Sequence, residues 1–359
     1  MKKYYKSLKY KKYNKRHSKK LFKRKLEYKV WKCTKLRKEQ GIPEEKLKRI
    51  HEGYNDVNIP NQYSFLCNPN EVILKIKEIK TNLELKKKTF INLMEVEEID
   101  NGAITVLLSL MTDFKVKAVE FNGNFPKNKD AKTLLLSSGF FEHLYGKVDK
   151  ELFDENSKYA YGQENQIITK PGKKVIAKLA SHICGSVSNT LECDFITTTK
   201  GLYRTLIELM HNTNNHANDE QGKELWWLTV HHDKIKKKVF FVFLDFGVGI
   251  FNSLRNKPRT SALFGAYNKL RERVIYGTDE KIMKLILEGE LKKTATDESY
   301  RGKGLPGIYE VCKRKQINNL HIISNSVYAD VSNENYKLLN NEFNGTFVYW
   351  EMSNGSEEI

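Results

Sequence analysis

The sequence predicts an α/β (α+β) fold in two parts, a small α/β domain and then a larger α/β sandwich that has a mixed sheet and helices on one face. Three observations predict it. Strand-like and helix-like runs alternate at short spacing over residues 71–144, which is typical of a small α/β layer. From residue 174 to residue 350, apolar residues at helical spacing alternate with β-rich apolar runs. A polar stretch separates the two parts.

The first part is expected to span residues 56–150, with strands at residues 89–94 and 116–122 and helices at residues 99–111 and 130–137. The polar stretch over residues 151–171 is the expected linker. The second part is expected to span residues 172–359. Its helical patterns lie at residues 174–183, 203–211, 282–287 and 308–314, and its strand-like runs at residues 226–230, 239–244, 320–323 and 346–350.

Positive charge is concentrated at the amino-terminal end. Residues 1–38 carry 18 Lys or Arg side chains and one acidic residue, Glu27, whereas residues 39–359 carry 44 basic and 43 acidic side chains. Residues 1–55, where lysines alternate with aromatic residues, are therefore expected to be a basic arm. The partner of residues 1–38 could be nucleic acid, an anionic membrane surface or an acidic protein.

Cysteine usage and hydropathy indicate a reducing compartment and no membrane span. The five cysteines are scattered without paired spacing, so neither a disulfide framework nor a zinc site is expected. The longest apolar runs, such as residues 104–111, are far shorter than a bilayer requires. We expect a cytoplasmic protein.

A carboxylate and an amide lie four residues apart on the helical pattern around residue 208. The apolar positions of that pattern mark its buried stripe, so Glu208 and Asn212 project from neighbouring turns. Mg²⁺ bound to a triphosphate takes a hard oxygen ligand, which the Asn212 amide can supply. Glu208 can then activate the attacking water or acceptor hydroxyl. The alternative is a surface helix with ordinary polar residues.

Two glycine loops follow. The β-rich run over residues 239–244 ends at Asp245, whose carboxylate can accept a hydrogen bond from an exocyclic amine such as that of adenine, and Gly247 and Gly249 allow tight backbone turns. Gly302 and Gly304 precede a helical pattern whose N-terminus can hold phosphate. The alternatives are an Asp-x-Gly hairpin for the first loop and a chance Gly-x-Gly for the second.

The order and spacing of these motifs resemble the GHKL (histidine kinase-like, Bergerat-fold) ATPase superfamily over residues 172–352. The resemblance implies that Glu208 is the general base, Asn212 the Mg²⁺ ligand and Asp245 the adenine reader. Thr346, after Gly345, would support the adenine end. The nucleotide loops would comprise Gly247, Gly249, Ile250, Gly302, Lys303, Gly304 and Leu305. Residues 251–300 would form the ATP lid, and the cofactors would be ATP and Mg²⁺.

Residues 88–144 resemble the STAS fold of anti-sigma-factor antagonists in element order and in Ser138-Gly139-Phe140. In those antagonists a serine near the start of the first helix accepts phosphate, whereas this sequence reads Ile99-Asp100-Asn101-Gly102 there and offers no hydroxyl. The resemblance implies docking to a protein partner or intramolecular regulation. The alternative is an unrelated α/β domain that packs on the ATPase.

The function expected from these patterns is an ATP-binding regulatory switch of the GHKL type that hydrolyses Mg-ATP slowly, coupled through the basic arm to a nucleic-acid or protein partner. One alternative is an anti-sigma-type serine/threonine kinase. A second is an interaction module that binds ATP without hydrolysing it. A homodimer is compatible with each of these.

Overall fold

Parallel and antiparallel strand pairs both occur in the computed structural model, which describes residues 53–145, 165–171, 175–193, 195–216, 225–274, 278–291 and 304–354. The predicted mixed α/β class is confirmed. The two kinds of pairing lie in different sheets. The five-stranded sheet, which was expected to be mixed, is antiparallel throughout, and the smaller sheets are parallel. Residues Asn55–Ile359 form one compact unit. The predicted basic arm lies almost entirely outside the described residues.

The described first layer consists of short parallel strands and four helices. The strands are β1 (Asn55–Asn58), β2 (Gln62–Tyr63), β3 (Thr89–Asn92), β4 (Glu98–Ile99) and β5 (Phe121–Gly123). They pair in the orders β1-β3-β5 and β2-β4. The helices are α1 (Pro69–Glu84), α2 (Asn101–Val116), α3 (Lys129–Ser137) and α4 (Phe140–Tyr145). Helix α2 begins where the Asp100 side chain accepts a hydrogen bond from the Ala103 amide at 2.7 Å.

The second layer is a five-stranded antiparallel sheet with helices. Its strands are β6 (Asn165–Pro171), β7 (Leu225–Asp233), β8 (Lys238–Asp245), β9 (Asn318–Asp330) and β10 (Asn335–Ser353), in the order β6-β7-β8-β10-β9. Its described helices are α5 (Ala177–Leu191), α6 (Phe195–His216), α7 (Ile250–Arg255), α8 (Ala262–Arg273), α9 (Asp279–Leu287) and α10 (Gly304–Lys313).

Alternation along the central strands divides the core into two clusters. In β8, Phe241 and Phe243 pack in the cluster with α5, α6, α9 and α10, whereas Val242 and Leu244 pack in the cluster with α1 and α2. Successive side chains of a strand point to opposite faces. The predicted helix-covered face is therefore present, and the first layer covers the opposite face of the same sheet.

Direct contacts join the first layer to that opposite face. The Phe65 and Phe347 rings stack with centroids 4.6 Å apart. The hydroxyls of Thr105 and Thr229 lie 2.6 Å apart in a buried hydrogen bond. A Cβ atom added at Gly102 would lie only 2.7 Å from the Phe347 ring, so helix α2 approaches β10 as closely as glycine permits. The first layer and this face of the sheet therefore share one core cluster.

One sequence-based expectation about element positions needs correction, and one helix was not predicted. Asn165–Pro171, expected in the linker, pairs with β7 as an edge strand, so the linker assignment is wrong over these residues. Residues 146–164 lie outside the described residues. Helix α1 was not predicted, although Pro69 in its first turn and the acidic Glu71 are ordinary start signals.

Candidate functional site

Helix α6 presents a polar stripe to the first turns of α10. Its buried side is apolar, with Leu206 and Met210 in the core. On another side, the Asn212 Oδ1 atom lies 2.7 Å from the position that a Cβ atom on Gly304 would occupy. Eight residues earlier, the Arg204 guanidinium lies 2.8 Å from the equivalent position on Gly307. The two helices therefore run antiparallel, with side chains from α6 lying directly on glycines of α10.

Glu208 lies on the same stripe, midway between these two contacts. It is half-buried. Among the described residues, none forms a hydrogen bond or an ion pair with Glu208 or with Arg204. Sequence analysis predicts Glu208 and Asn212 but misses Arg204, although its spacing of four residues before Glu208 is a readable signal.

Asp245 and Thr346 are opposite each other on neighbouring strands, β8 and β10. Each lies two residues along its strand from a member of the helix-side cluster, Phe243 on β8 and Val348 on β10. Because side chains two residues apart in a strand point to the same face, both side chains point to the face that carries α6 and α10. Asp245 is 8% exposed. The predicted adenine reader and its supporting hydroxyl are therefore brought together at one level of the sheet.

The loop after Asp245 is held tightly. The Gly247 amide donates to Asp245 Oδ1 at 2.8 Å, which orients the carboxylate. Gly249 has φ of 78°, a left-handed conformation that favours glycine, and it precedes Ile250, the first residue of α7. Gly345 has φ of 140°, and a Cβ atom there would lie 2.0 Å from the Asp245 carbonyl oxygen. These positions therefore require glycine.

Two residues that sequence analysis misses fix this loop from β9. Ser324 Oγ accepts a hydrogen bond from the Ile250 amide at 2.9 Å and donates to the Gly345 carbonyl at 2.9 Å. Asn325 Oδ1 accepts from the Phe251 amide at 2.9 Å, and Asn325 Nδ2 donates to the Val248 carbonyl at 2.9 Å. Both are fully buried. Two polar residues directly after the apolar run at residues 320–323 were the only sequence signal.

The predicted site residues thus form two groups on one face of the sheet. Glu208, Asn212, Gly304 and Leu305 lie where α6 meets the start of α10. Asp245 ends β8 and lies opposite Thr346 within β10, and Gly247, Gly249 and Ile250 follow Asp245 in the chain. Gly302 and Lys303 lie outside the described residues. The side chains behind both groups, Met210 of α6, Ile308 of α10 and Phe243 of β8, belong to one core cluster.

The donor set fits a nucleotide with its metal. The missing side chain at Gly304 leaves the Asn212 amide at the start of a ten-residue helix, where the helix dipole favours negative charge. An amide oxygen is a hard ligand of the kind Mg²⁺ takes when phosphates supply the rest. The described residues contain no cluster of three His, Cys, Asp or Glu side chains able to hold a metal.

The region expected to be a lid is mostly packed structure. Helices α7, α8 and α9 bury Phe251, Tyr267, Leu270, Met283 and Leu287 in the helix-side core. Arg255 forms an ion pair with Asp279 that ties α7 to α9. In the described part, residues 251–274 and 278–291, the expected lid therefore consists largely of helices that pack in the core, and its role as an ATP lid stays a prediction. The remaining residues, 275–277 and 292–300, lie outside the described residues.

No protein-family model matches the chain, and a search of curated proteins finds no significant relative. Within the described residues, no helix combines the length and the apolar character that a membrane crossing requires.

Proposed function

We propose that the protein is an ATP-binding regulatory switch of the GHKL type that binds Mg-ATP on the helix-covered face of its five-stranded sheet. The observation that carries the proposal is the convergence of the α6 polar stripe on the glycine-lined start of α10, on the face that also presents the paired Asp245 and Thr346. One group suits a triphosphate with its metal, and the other suits the edge of a purine.

Each residue has a role that follows from its chemistry. Asp245, held by the Gly247 amide, accepts a hydrogen bond from the exocyclic amine of adenine, and Thr346 supports that end. The first turn of α10, at Gly304 and Leu305, donates backbone amides to phosphate. Mg²⁺ neutralises phosphate charge when bound, and Asn212 would supply its protein oxygen ligand.

Glu208 has the position of a general base. It is half-buried, free of ion pairs among the described residues, and one helical turn from Asn212. A carboxylate there can accept the proton of an attacking water or of a partner's hydroxyl. Hydrolysis and phosphate transfer to a partner differ only in which group attacks. The first layer does not supply the acceptor at the start of α2, because that turn carries no hydroxyl and is buried against Phe347.

The test is steady-state phosphate release from Mg-ATP by the wild type, Glu208→Gln and Asn212→Ala. We expect Glu208→Gln to lower turnover by about 10²-fold or more while nucleotide affinity changes little. Asn212→Ala should weaken Mg-ATP binding. Wild-type turnover in Glu208→Gln would remove the general-base role. Binding without turnover in the wild type would favour the non-hydrolysing module, and labelling of a partner would favour the kinase.

The charge of residues 1–38 supports a second element of the proposal. With 18 basic side chains and one acidic side chain, this segment should bind a polyanion, either nucleic acid or an acidic protein, in a salt-dependent manner. Deleting residues 1–38 should abolish any stimulation of ATP turnover by DNA or RNA. Stimulation that survives the deletion would reject a nucleic-acid role for the arm.

A further inference from the structure

The loop that carries Asp245 reaches both faces of the five-stranded sheet. Asp245 points to the helix-covered face, where the candidate site lies. The next residue, Phe246, packs instead against the core cluster shared with the first layer. Its ring centroid lies 5.8 Å from that of Phe343 on β10. Because one planar peptide unit joins the two residues, we expect a shift of Phe246 to displace Asp245.

Lys80 of α1 makes the contact from the first layer. Its Nζ atom lies 3.9 Å from the centroid of the Phe246 ring, well within the range of a cation–π interaction. Burial also raises the pKa of Asp113 on α2, and the charge of Lys80 partly offsets this rise. The Lys80 ammonium group therefore lies over the aromatic ring of the loop and acts electrostatically on a carboxylate of α2.

Helix α1 is fixed on the sheet by further polar contacts, so Lys80 has a defined position. Asn70 Oδ1 accepts a hydrogen bond from the Asn340 amide of β10 at 2.9 Å. About two helical turns further along α1, Lys77 Nζ donates a hydrogen bond to Asn341 Oδ1 at 3.4 Å. These contacts hold α1 against the irregular part of β10 that precedes Gly345 and Thr346.

We propose that Lys80 is a positioning residue for the purine-reading loop, through which the first layer sets the orientation of the Asp245 carboxylate. The inference rests on the proposed function for its consequence, which is discrimination between adenine and guanine nucleotides. The coupling between Lys80 and the loop can be measured without any nucleotide. Lys80 does not touch the nucleotide in this proposal.

The Gly247 amide provides the direct readout, because it donates to Asp245 Oδ1 and its hydrogen exchange reports how well that carboxylate is placed. The variants are Lys80→Met, which keeps the length of the side chain and removes its charge, and Lys80→Arg, which restores a cation. Lys75→Met is the matched control, since Lys75 lies on the same helix and pairs with Glu78 there.

We expect Lys80→Met to speed exchange of the Gly247 amide by about 3- to 10-fold, the range that a lost cation–π contact allows. Lys80→Arg should restore slow exchange, and Lys75→Met should match the wild type. Lys80→Met should also reduce the ratio of ATP to GTP affinity by a similar factor. These results together would support the positioning role.

Unchanged exchange in Lys80→Met, or fast exchange that Lys80→Arg fails to restore, would overturn the inference whatever the nucleotide affinities are. If the wild type binds neither ATP nor GTP while exchange responds as expected, the proposed function is rejected and the coupling of Lys80 to the loop is supported. Altered exchange with an unchanged ATP to GTP ratio would overturn the role in purine discrimination.

Discussion

The Asn212 side chain occupies the space that a side chain on residue 304 would need. The Asn212 amide lies 2.7 Å from the site of a Cβ atom on Gly304, a distance that real Cβ contacts do not show. Any side chain at Gly304 must push Asn212 away from the start of α10. The glycine thus keeps the amide in the place that we propose for the Mg²⁺ ligand.

We therefore expect Gly304→Ala to weaken Mg-ATP binding by about 10-fold, which corresponds to a loss of about 1.4 kcal/mol. Fluorescence titration with an ATP analogue measures this loss. Gly265→Ala is the matched control, because Gly265 lies in helix α8 with nothing within 4 Å of an added Cβ atom. That control should keep full affinity and gain about 0.5–1 kcal/mol of stability. Equal affinities in the two variants would contradict the assigned contact.

At the residue scale, spacing in the sequence was sufficient for the groups that define the site. The interval between Glu208 and Asn212 predicted one helical stripe, and the structure places both on α6. The pairing of Asp245 with Thr346 could not be derived from spacing and came from the resemblance alone. Ser324, Asn325 and Lys80 were not predicted, because their contacts with the loop after Asp245 join segments at least 70 residues apart in the chain.

At the scale of elements, β9 and β10 carry a network of polar side chains on the sheet face that the first layer covers. His321 Nε2 lies 2.7 Å from Asn319 Oδ1, and Asn319 Nδ2 donates to Glu351 Oε1 at 2.7 Å. Tyr328 lies 3.0 Å from His321 Nδ1. Because the Asn319 oxygen can only accept, Nε2 carries the hydrogen in the neutral imidazole. The Tyr328 hydroxyl lies within hydrogen-bonding distance of both Nδ1 and the Leu66 carbonyl, which is 3.2 Å away.

Burial lowers the pKa of His321 below its usual value of 6.5, although Asp330 and Glu351 oppose the shift. A group with a lowered pKa in the folded state contributes stability that is present above its unfolded pKa and is lost as the pH falls through the folded pKa. We expect the free energy of unfolding to fall below pH 6.5, with a contribution from His321 of up to about 1.4 kcal/mol per pH unit.

His321→Gln should remove that contribution, so its stability should fall less steeply than that of the wild type between about pH 6.5 and pH 5. Urea unfolding at several pH values measures both slopes, and data at pH 8 separate the loss of hydrogen bonds from the loss of titration. Parallel slopes for the two proteins would show that His321 titrates normally in the folded state.

The sequence also predicted most elements but not their lengths or their packing. The run at residues 346–350 indicated only the buried end of β10, which extends over Asn335–Ser353, because its outer half is polar and exposed. Within the expected lid the sequence predicted a helix at residues 282–287 but not helices α7 and α8, because only residues 282–287 show strong helical spacing. Their packing depends on tertiary partners in β9 and β10.

At the scale of the whole molecule, helices cover one face of the central sheet and the first layer packs on the other face. Phe65 of the first layer is fully buried and stacks on Phe347 of β10. The tryptophans of the described residues, Trp226, Trp227 and Trp350, all lie in the second layer. If the two layers unfold together, a change in the first layer must shift the transition seen by these tryptophans.

Phe65→Ala should lower the stability reported by tryptophan fluorescence in urea by about 3–5 kcal/mol, the usual cost of removing a buried phenylalanine. Leu85→Ala is the control, because Leu85 is in the first layer and 58% exposed, and it should change stability by less than about 0.5 kcal/mol. A tryptophan transition that does not respond to Phe65→Ala would mean that the layers unfold independently.

The central claim is that the face between α6, α10 and the ends of β8 and β10 binds Mg-ATP. Isothermal titration calorimetry with Mg²⁺ and a non-hydrolysable ATP analogue tests it most directly. We expect saturable binding by the wild type, with affinity reduced about 10-fold or more in both Asp245→Asn and Asn212→Ala. No binding by the wild type, or wild-type affinity in both variants, would contradict the account.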